Sequence, residues 1–296
     1  MKKYKKPPKS AIKSKLISGP IRRCFPIFML PTFVAFCIGF IWPFFQGMYL
    51  SFCKFTLPQD AVFVGFENYT KALLDPGFRH SFIYTAGFAI ISIVAINVIA
   101  FLVAYLLTQN IAGSNIFRTV FFMPNLIGGI VLGYIWQMLL NGILSYFGKT
   151  LTYSSAYGFW GLVILMCWQQ IGYMMIIYIA GIQNIPGELI EAAKIDGANS
   201  RQLLFHVTIP MVMPSITICS FLTLTNSFKL FDQNLALTAG EPANSSQMLA
   251  LNIFETFYTR TGWEGAGQAK AVVFSIIVAV IAIAQNKITR SKEVQQ

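Results

Sequence analysis

From Ser81 to Phe117 the chain carries no charged side chain. A helix needs only about 20 apolar residues to cross the hydrocarbon core of a bilayer. Blocks of that kind recur along most of the sequence, more than one aqueous core could hide. The economical fold is therefore all-α, a single polytopic membrane domain whose backbone polar groups are satisfied inside its own helices. Composition agrees: 55% of residues are hydrophobic, 11% are charged and the mean hydropathy is +0.61, whereas an ordinary soluble domain is about 25% charged.

Six transmembrane helices are expected, near residues 25–50, 82–107, 119–140, 158–182, 207–228 and 271–286. They form a domain of residues 25–290 between a basic tail, 1–24, and a short tail, 291–296. Pro26, Pro31 and Pro43 predict a bent or late-starting first helix. Pro124-Asn125, Gly128-Gly129 and Gly133 in the third permit close helix approach, the fifth carries Pro210 and Pro214, and the sixth is short unless residues 265–269 help to span. The first apolar run is too long for a secretory signal and lacks a small-x-small cleavage site. Five scattered cysteines without a CxxC pair read as packing residues, not as a metal or disulfide framework.

Charge sets the orientation. Six spans put both termini on one side, and that side holds fifteen of the 22 Lys and Arg but only four of the 11 Asp and Glu; the other side takes seven of each. The whole excess of +11 falls on the face of the N terminus, as the positive-inside rule expects for cytoplasmic termini. This surplus belongs to membrane topology, and no nucleic-acid partner is implied.

One polar stretch on that face, about residues 183–206, has its own start and stop signals. Pro186 suits a first helical turn, Glu188 and Glu191 complement the positive end of the helix dipole, Gly197 suits a left-handed stop, and Asn199 or Ser200 can cap a second helix. Ala192 and Ala193 leave so little bulk that the short helix can enter a cleft on a soluble partner; the alternative is an interfacial helix that only anchors the loop. The chain contains no GxxxxGK[ST] phosphate loop, the motif that would cradle nucleotide phosphates.

Glu191-Ala192-Ala193-x-x-Asp196-Gly197-Ala198, with Gln202 and Ile209-Pro210-x-x-x-Pro214, resembles the EAA loop of permease subunits of binding-protein-dependent carbohydrate ABC importers, maltose- and glycerol-phosphate-type permeases among them. Phe63-Val64-Gly65-Phe66-Glu67-Asn68-Tyr69, Phe122-Met123-Pro124 and Ser227-Phe228-Lys229-Leu230-Phe231-Asp232 extend the likeness over about residues 26–289, with Glu241 standing where many relatives have Gly. The resemblance implies the type I ABC importer permease fold in a bacterial cytoplasmic membrane and a chain that is not itself an enzyme. It also implies coupling to ATPase subunits through Glu188, Glu191, Ala192, Ala193, Asp196, Gly197 and Pro210. The implied partners are a second homologous permease, two ATPase subunits, which carry the ATP and magnesium, an extracellular or periplasmic sugar-binding protein, and membrane lipid.

Polar residues inside the spans are candidates for a solute path because lipid penalises them. They are Asn97, Asn125, Gln137, Trp168, Gln169, Gln170, Tyr173, Ser220, Asn226 and Ser227. No Asp, Glu, Lys or Arg lies deep in the first five spans, and amides, hydroxyls and rings suit a neutral polyol. For each candidate the competing reading is an interhelical hydrogen bond or packing contact, the favoured one for Asn97 and Gln137, and His80 and His206 read as surface or packing residues. The resemblance places Asn125, Gly129, Trp168, Gly172, Ser220, Leu224 and Ser227 where maltose-type permeases contact sugar. An importer for another solute, an ion-coupled carrier and a membrane enzyme are the alternatives. The uncharged lining opposes the first, the missing ionisable relay the second, and the missing acid pair or metal cluster the third.

Overall fold

A computed structural model describes residues 19–109 and 111–290; most of the basic tail, Asn110 and the tail 291–296 lie outside the described residues. The described chain divides at Leu50 into two units. The first comprises α1 (Gly19–Phe36), a π-helical turn (Cys37–Ile41) and α2 (Trp42–Leu50). The second starts with a two-stranded antiparallel ladder, β1 (Cys53–Lys54) on β2 (Val62–Phe63). It continues through α3 (Glu67–Leu74), α4 (Pro76–Leu107), α5 (Ser114–Phe122), α6 (Gly129–Ser145), α7 (Ser155–Gln183), α8 (Gly187–Ile195), α9 (Ser200–Leu203), a second π turn (Leu204–Thr208), α10 (Ile209–Met211), α11 (Met213–Phe228), α12 (Asp232–Leu237), α13 (Leu249–Thr259) and α14 (Glu264–Arg290).

Four stretches are continuous, long and apolar enough to span: Ile27–Leu50, Pro76–Leu107, Ser155–Gln183 and Glu264–Thr289. The third and fifth expected spans are instead bent pairs, by 102° between Ser114–Leu126 and Gly129–Ser145 and by 66° between Ser200–Met211 and Met213–Phe228. The first break follows Pro124, where Ile127 and Gly128 turn extended (ψ 131° and 141°). The second lies at Val212, between two prolines that donate no backbone hydrogen bond. Both π turns share one arrangement: five residues, one more, then Pro43 or Pro210. The clash of a proline ring with the carbonyl four residues back is relieved when the preceding turn widens.

The second and sixth spans start earlier than expected. Asp75 accepts a hydrogen bond from the Gly77 N–H (3.1 Å) and begins α4 ahead of Pro76. Residues 265–269 do belong to α14. The core runs mainly between α4 and α7, through Phe88, Ile96, Ala100 and Ala104 against Leu162, Leu165, Met166, Met174 and Tyr178. Asn97 and Gln137 make the interhelical bonds weighed for them: Tyr178 donates to Asn97 (2.7 Å), and Gln137 donates to the Leu237 carbonyl (3.0 Å).

Candidate coupling segment and polar path

The polar stretch is a helix, a sharp turn and a second helix. Pro186 stands at the cap position of α8, one residue ahead of the first turn expected for it, with its carbonyl accepting from the Leu189 N–H (3.1 Å). At the other end Gly197 adopts φ +79°, its N–H donates to the Lys194 carbonyl (3.1 Å), and the Ala198 N–H donates to the Ala193 carbonyl (2.9 Å). This paired closure requires a left-handed residue, which glycine adopts at least cost. Asn199 and Gln202 then form a reciprocal capping box (2.8 and 2.9 Å) that starts α9.

Ile185 is buried just before α8 and Ile190 packs on the core, which fixes one face of that helix. Ala193 is half-buried, whereas Glu188, Glu191, Ala192, Asp196 and Gly197 are exposed. Among the described residues no ion pair engages Glu188, Glu191 or Asp196. Ile195, 85% exposed, adds an apolar knob to the exposed surface of α8. Pro210, half-buried, follows the π turn that carries the segment back to the spans.

The path residues fall into two groups. On α7, Trp168 lies edge-on to Trp136 of α6 (5.6 Å between ring centroids), while Gln169 and Gln170 make contacts across helices. Gln169 donates to the Ile127 carbonyl at the break of the third span (3.4 Å) and accepts from Gln233 (2.9 Å); Gln170 accepts from Asn226 of α11 (3.3 Å). Tyr173 is half-buried, its ring near Phe122 (6.5 Å), and Asn125 and Ser220 are half-buried as well. These side chains form a band of amides and rings beside a broken helix.

Gly172, Leu224 and Ser227 occupy packing positions. The Phe121–Phe122 backbone occupies the space of a side chain at Gly172, Leu224 packs with Ala89 and Phe228, and the buried Ser227 hydroxyl donates to the Thr223 carbonyl (2.7 Å). Gly172→Ala should therefore fold poorly, losing about 3 kcal/mol at the upper end of overpacking costs because its neighbour is backbone. Thermal melting of the purified protein measures this.

Gly129 and Gly133 serve the close approach expected of them. A Cβ at Gly129 would meet that of Asp232 at 2.8 Å, and one at Gly133 that of Ala236 at 2.5 Å. The partner is α12, in a segment that reads as an outer loop, so sequence reasoning missed Gln233. The spacing of four between these glycines was the available signal for a facing helix. That region is itself folded: Asn234, fully buried, donates to the Ser246 carbonyl (2.9 Å) and accepts from the Met248 N–H (2.9 Å). Lys270, fully buried near the start of α14, donates to Asp75 (2.5 Å), Asn252 (3.0 Å) and Thr256 (2.7 Å).

The family model described as "Binding-protein-dependent transport system inner membrane component" matches residues 96–293. Over 278 residues, 91% of this chain and 94% of the relative, the sequence is 44% identical to a "Probable starch degradation products transport system permease protein" (AmyD) of Thermoanaerobacterium thermosulfurigenes. It is 31% identical over 90% of its length and 95% of the relative to a "Multiple sugar-binding transport system permease protein" (MsmF) of Streptococcus mutans. Among solved structures, a chain of a bacterial ABC transporter involved in the import of the acidic polysaccharide alginate superposes with a TM-score of 0.77, covering 92% of this chain and 97% of that one at 19% identity. That likeness is one of fold, the ABC importer permease fold.

Proposed function

We propose a function on the premise that this chain belongs to the binding-protein-dependent transport system inner membrane component family: it is the transmembrane subunit of an ATP-driven importer that passes a sugar, an oligosaccharide or related polyol, across the bacterial cytoplasmic membrane. The observation that carries the cargo class is the amide band, Gln169, Gln170, Asn226 and Gln233, beside Trp168 and Trp136. Amides both donate to and accept from hydroxyls, and indole faces stack on the apolar faces of sugar rings. Asn125, Gly129, Tyr173 and Ser220 complete the proposed path. Relatives at 44% and 31% identity named for starch degradation products and multiple sugars support the same class.

In this reading the chain is not an enzyme. ATP and magnesium belong to two ATPase subunits that dock on the exposed face of α8 through Glu188, Glu191, Ala192, Asp196 and Gly197, and their closure drives this chain and a second permease between inward- and outward-facing states. A sugar-binding protein delivers cargo on the opposite face, and both termini lie in the cytoplasm, where the excess positive charge points. The test is to reconstitute the chain with its partner permease, ATPases and binding protein and to measure ATP hydrolysis and uptake over a panel of oligosaccharides and amino acids. Hydrolysis stimulated by the binding protein with one oligosaccharide class is expected; indifference to every sugar refutes the cargo. In the same assay Gln170→Leu should lower sugar uptake about tenfold with the complex intact, the loss of roughly one well-formed hydrogen bond.

A further inference from the structure

The loop between α6 and α7 holds a cation without an ion-pair partner against two aromatic rings, one of which, Tyr157, also lines an apolar groove. Lys149 donates to the Tyr157 hydroxyl (3.0 Å), and its ammonium lies 5.3 Å and 5.4 Å from the ring centroids of Tyr153 and Tyr157. The loop is fixed, since Asn141 accepts from the Leu151 N–H (2.8 Å), and beside the lysine the Thr150 and Thr152 hydroxyls lie 3.0 Å apart at the surface. No acidic residue occurs between Lys71–Asp75 and Glu188 in the sequence, and among the described residues Lys149 has no ion-pair partner. Tyr157 itself forms part of the groove wall, with Leu140, Ile143, Leu151, Trp160 and Ile164; its volume is about 470 Å³.

We propose that this groove binds one anionic phospholipid, with an acyl chain along α6 and α7 and the headgroup phosphate on the Lys149 ammonium. A cation and two hydroxyls cap one end of a surface that is otherwise apolar, and the polarity of a phospholipid runs the same way. Tyr153 and Tyr157 stand beside the ammonium, as amphipathic rings do at a membrane boundary. A lysine at such an end extends its stem over apolar surface and keeps its charge at headgroup level. The hydrogen bond to Tyr157 holds the ammonium above the usual lysine range, so the charge is complete at neutral pH. The inference rests on membership of a membrane-protein family and not on the cargo, so failure of the sugar assay leaves it standing.

The test uses the assembled transporter in detergent with equimolar phosphatidylglycerol and phosphatidylcholine, counting retained lipids by native mass spectrometry. Wild type and Lys149→Arg should retain phosphatidylglycerol, and Lys149→Gln should lower its retention about fivefold without changing that of phosphatidylcholine. Ala156→Phe, which fills the rim of the groove, should displace the same lipid. Equal phosphatidylglycerol retention in wild type and Lys149→Gln overturns the proposal. So does loss of the partner permease from the Lys149→Gln complex in place of lipid, which makes the groove a protein interface.

Discussion

Lys270→Met is expected to destabilise the protein by about 3–5 kcal/mol, the cost of leaving one member of a buried ion pair without its partner. The lysine is fully buried, and its three hydrogen bonds to Asp75, Asn252 and Thr256 match its three donors. Asp75 retains Arg260 at 3.4 Å, but that guanidinium is partly exposed and a weaker substitute. Adding Asp75→Asn to Lys270→Met should restore a large part of the loss, because the double variant buries no lone charge. A melt of the single variant within about 1 kcal/mol of wild type would mean that the pair is not buried. Acid should act at the same point. Burial by itself would raise the Asp75 carboxyl, but the hydrogen bond and charge of Lys270, the Gly77 N–H and Arg260 outweigh it and hold the group below its ordinary value. A carboxylate depressed in the folded state stabilises that state above its unfolded value, about 3.9, and this contribution disappears as pH falls through the lower folded value. Wild type should therefore lose stability more steeply than Asp75→Asn in that acidic range.

This network also marks where the sequence stops being legible. Spans were readable because each is long and apolar, and the coupling segment because its signals are local: a proline, a glycine and a capping pair within a few residues of one another. Asp75 and Lys270 are 195 positions apart, and nothing in either neighbourhood distinguishes a buried lysine from one at a membrane edge. The region between α11 and α14 reads as a loop for the same reason. Its helices are short, and its polar residues, which suggest solvent, are buried because they are paired: Asn234, Thr238 and Ser246 with one another and Gln247 with Asn252. The breaks in the third and fifth spans were half-visible: Pro124, Gly128, Pro210 and Pro214 announced them, but a proline inside a membrane helix is compatible with a modest kink as well as with the 102° and 66° turns observed. Within the path, residue type alone could not separate Gln170, which reaches across to another helix, from Ser227, whose hydroxyl returns to its own. The difference is which way each faces on its helix, and an uncharged span offers no amphipathic stripe to read it from.

Gly197→Pro should abolish uptake while leaving the chain inserted and folded. The native residue sits at φ +79°, a value closed to proline, whose ring fixes φ near −65°. The substitution also removes the N–H that donates to the Lys194 carbonyl, so the closure of α8 loses one bond and its left-handed link together. The local cost is about 3 kcal/mol, but α8 and α9 are short and largely exposed, and of their residues Ile190 is the one packed on the α4–α7 core. The damage falls on the angle between the two helices, and that angle is the element through which a stroke delivered to Glu191, Ala192 and Ile195 would reach Pro210 and the fifth span. Gly197→Ala separates strain from geometry: a Cβ there meets open space, so only the left-handed penalty of about 1–2 kcal/mol remains, and much of the uptake should survive. Ile195→Asp approaches the same site from its surface, placing a charge on the exposed apolar knob without disturbing the turn, and should release the ATPase subunits during purification. Retention of the ATPases and undiminished uptake by Gly197→Pro would remove α8 from the coupling role and leave it an anchor at the membrane surface.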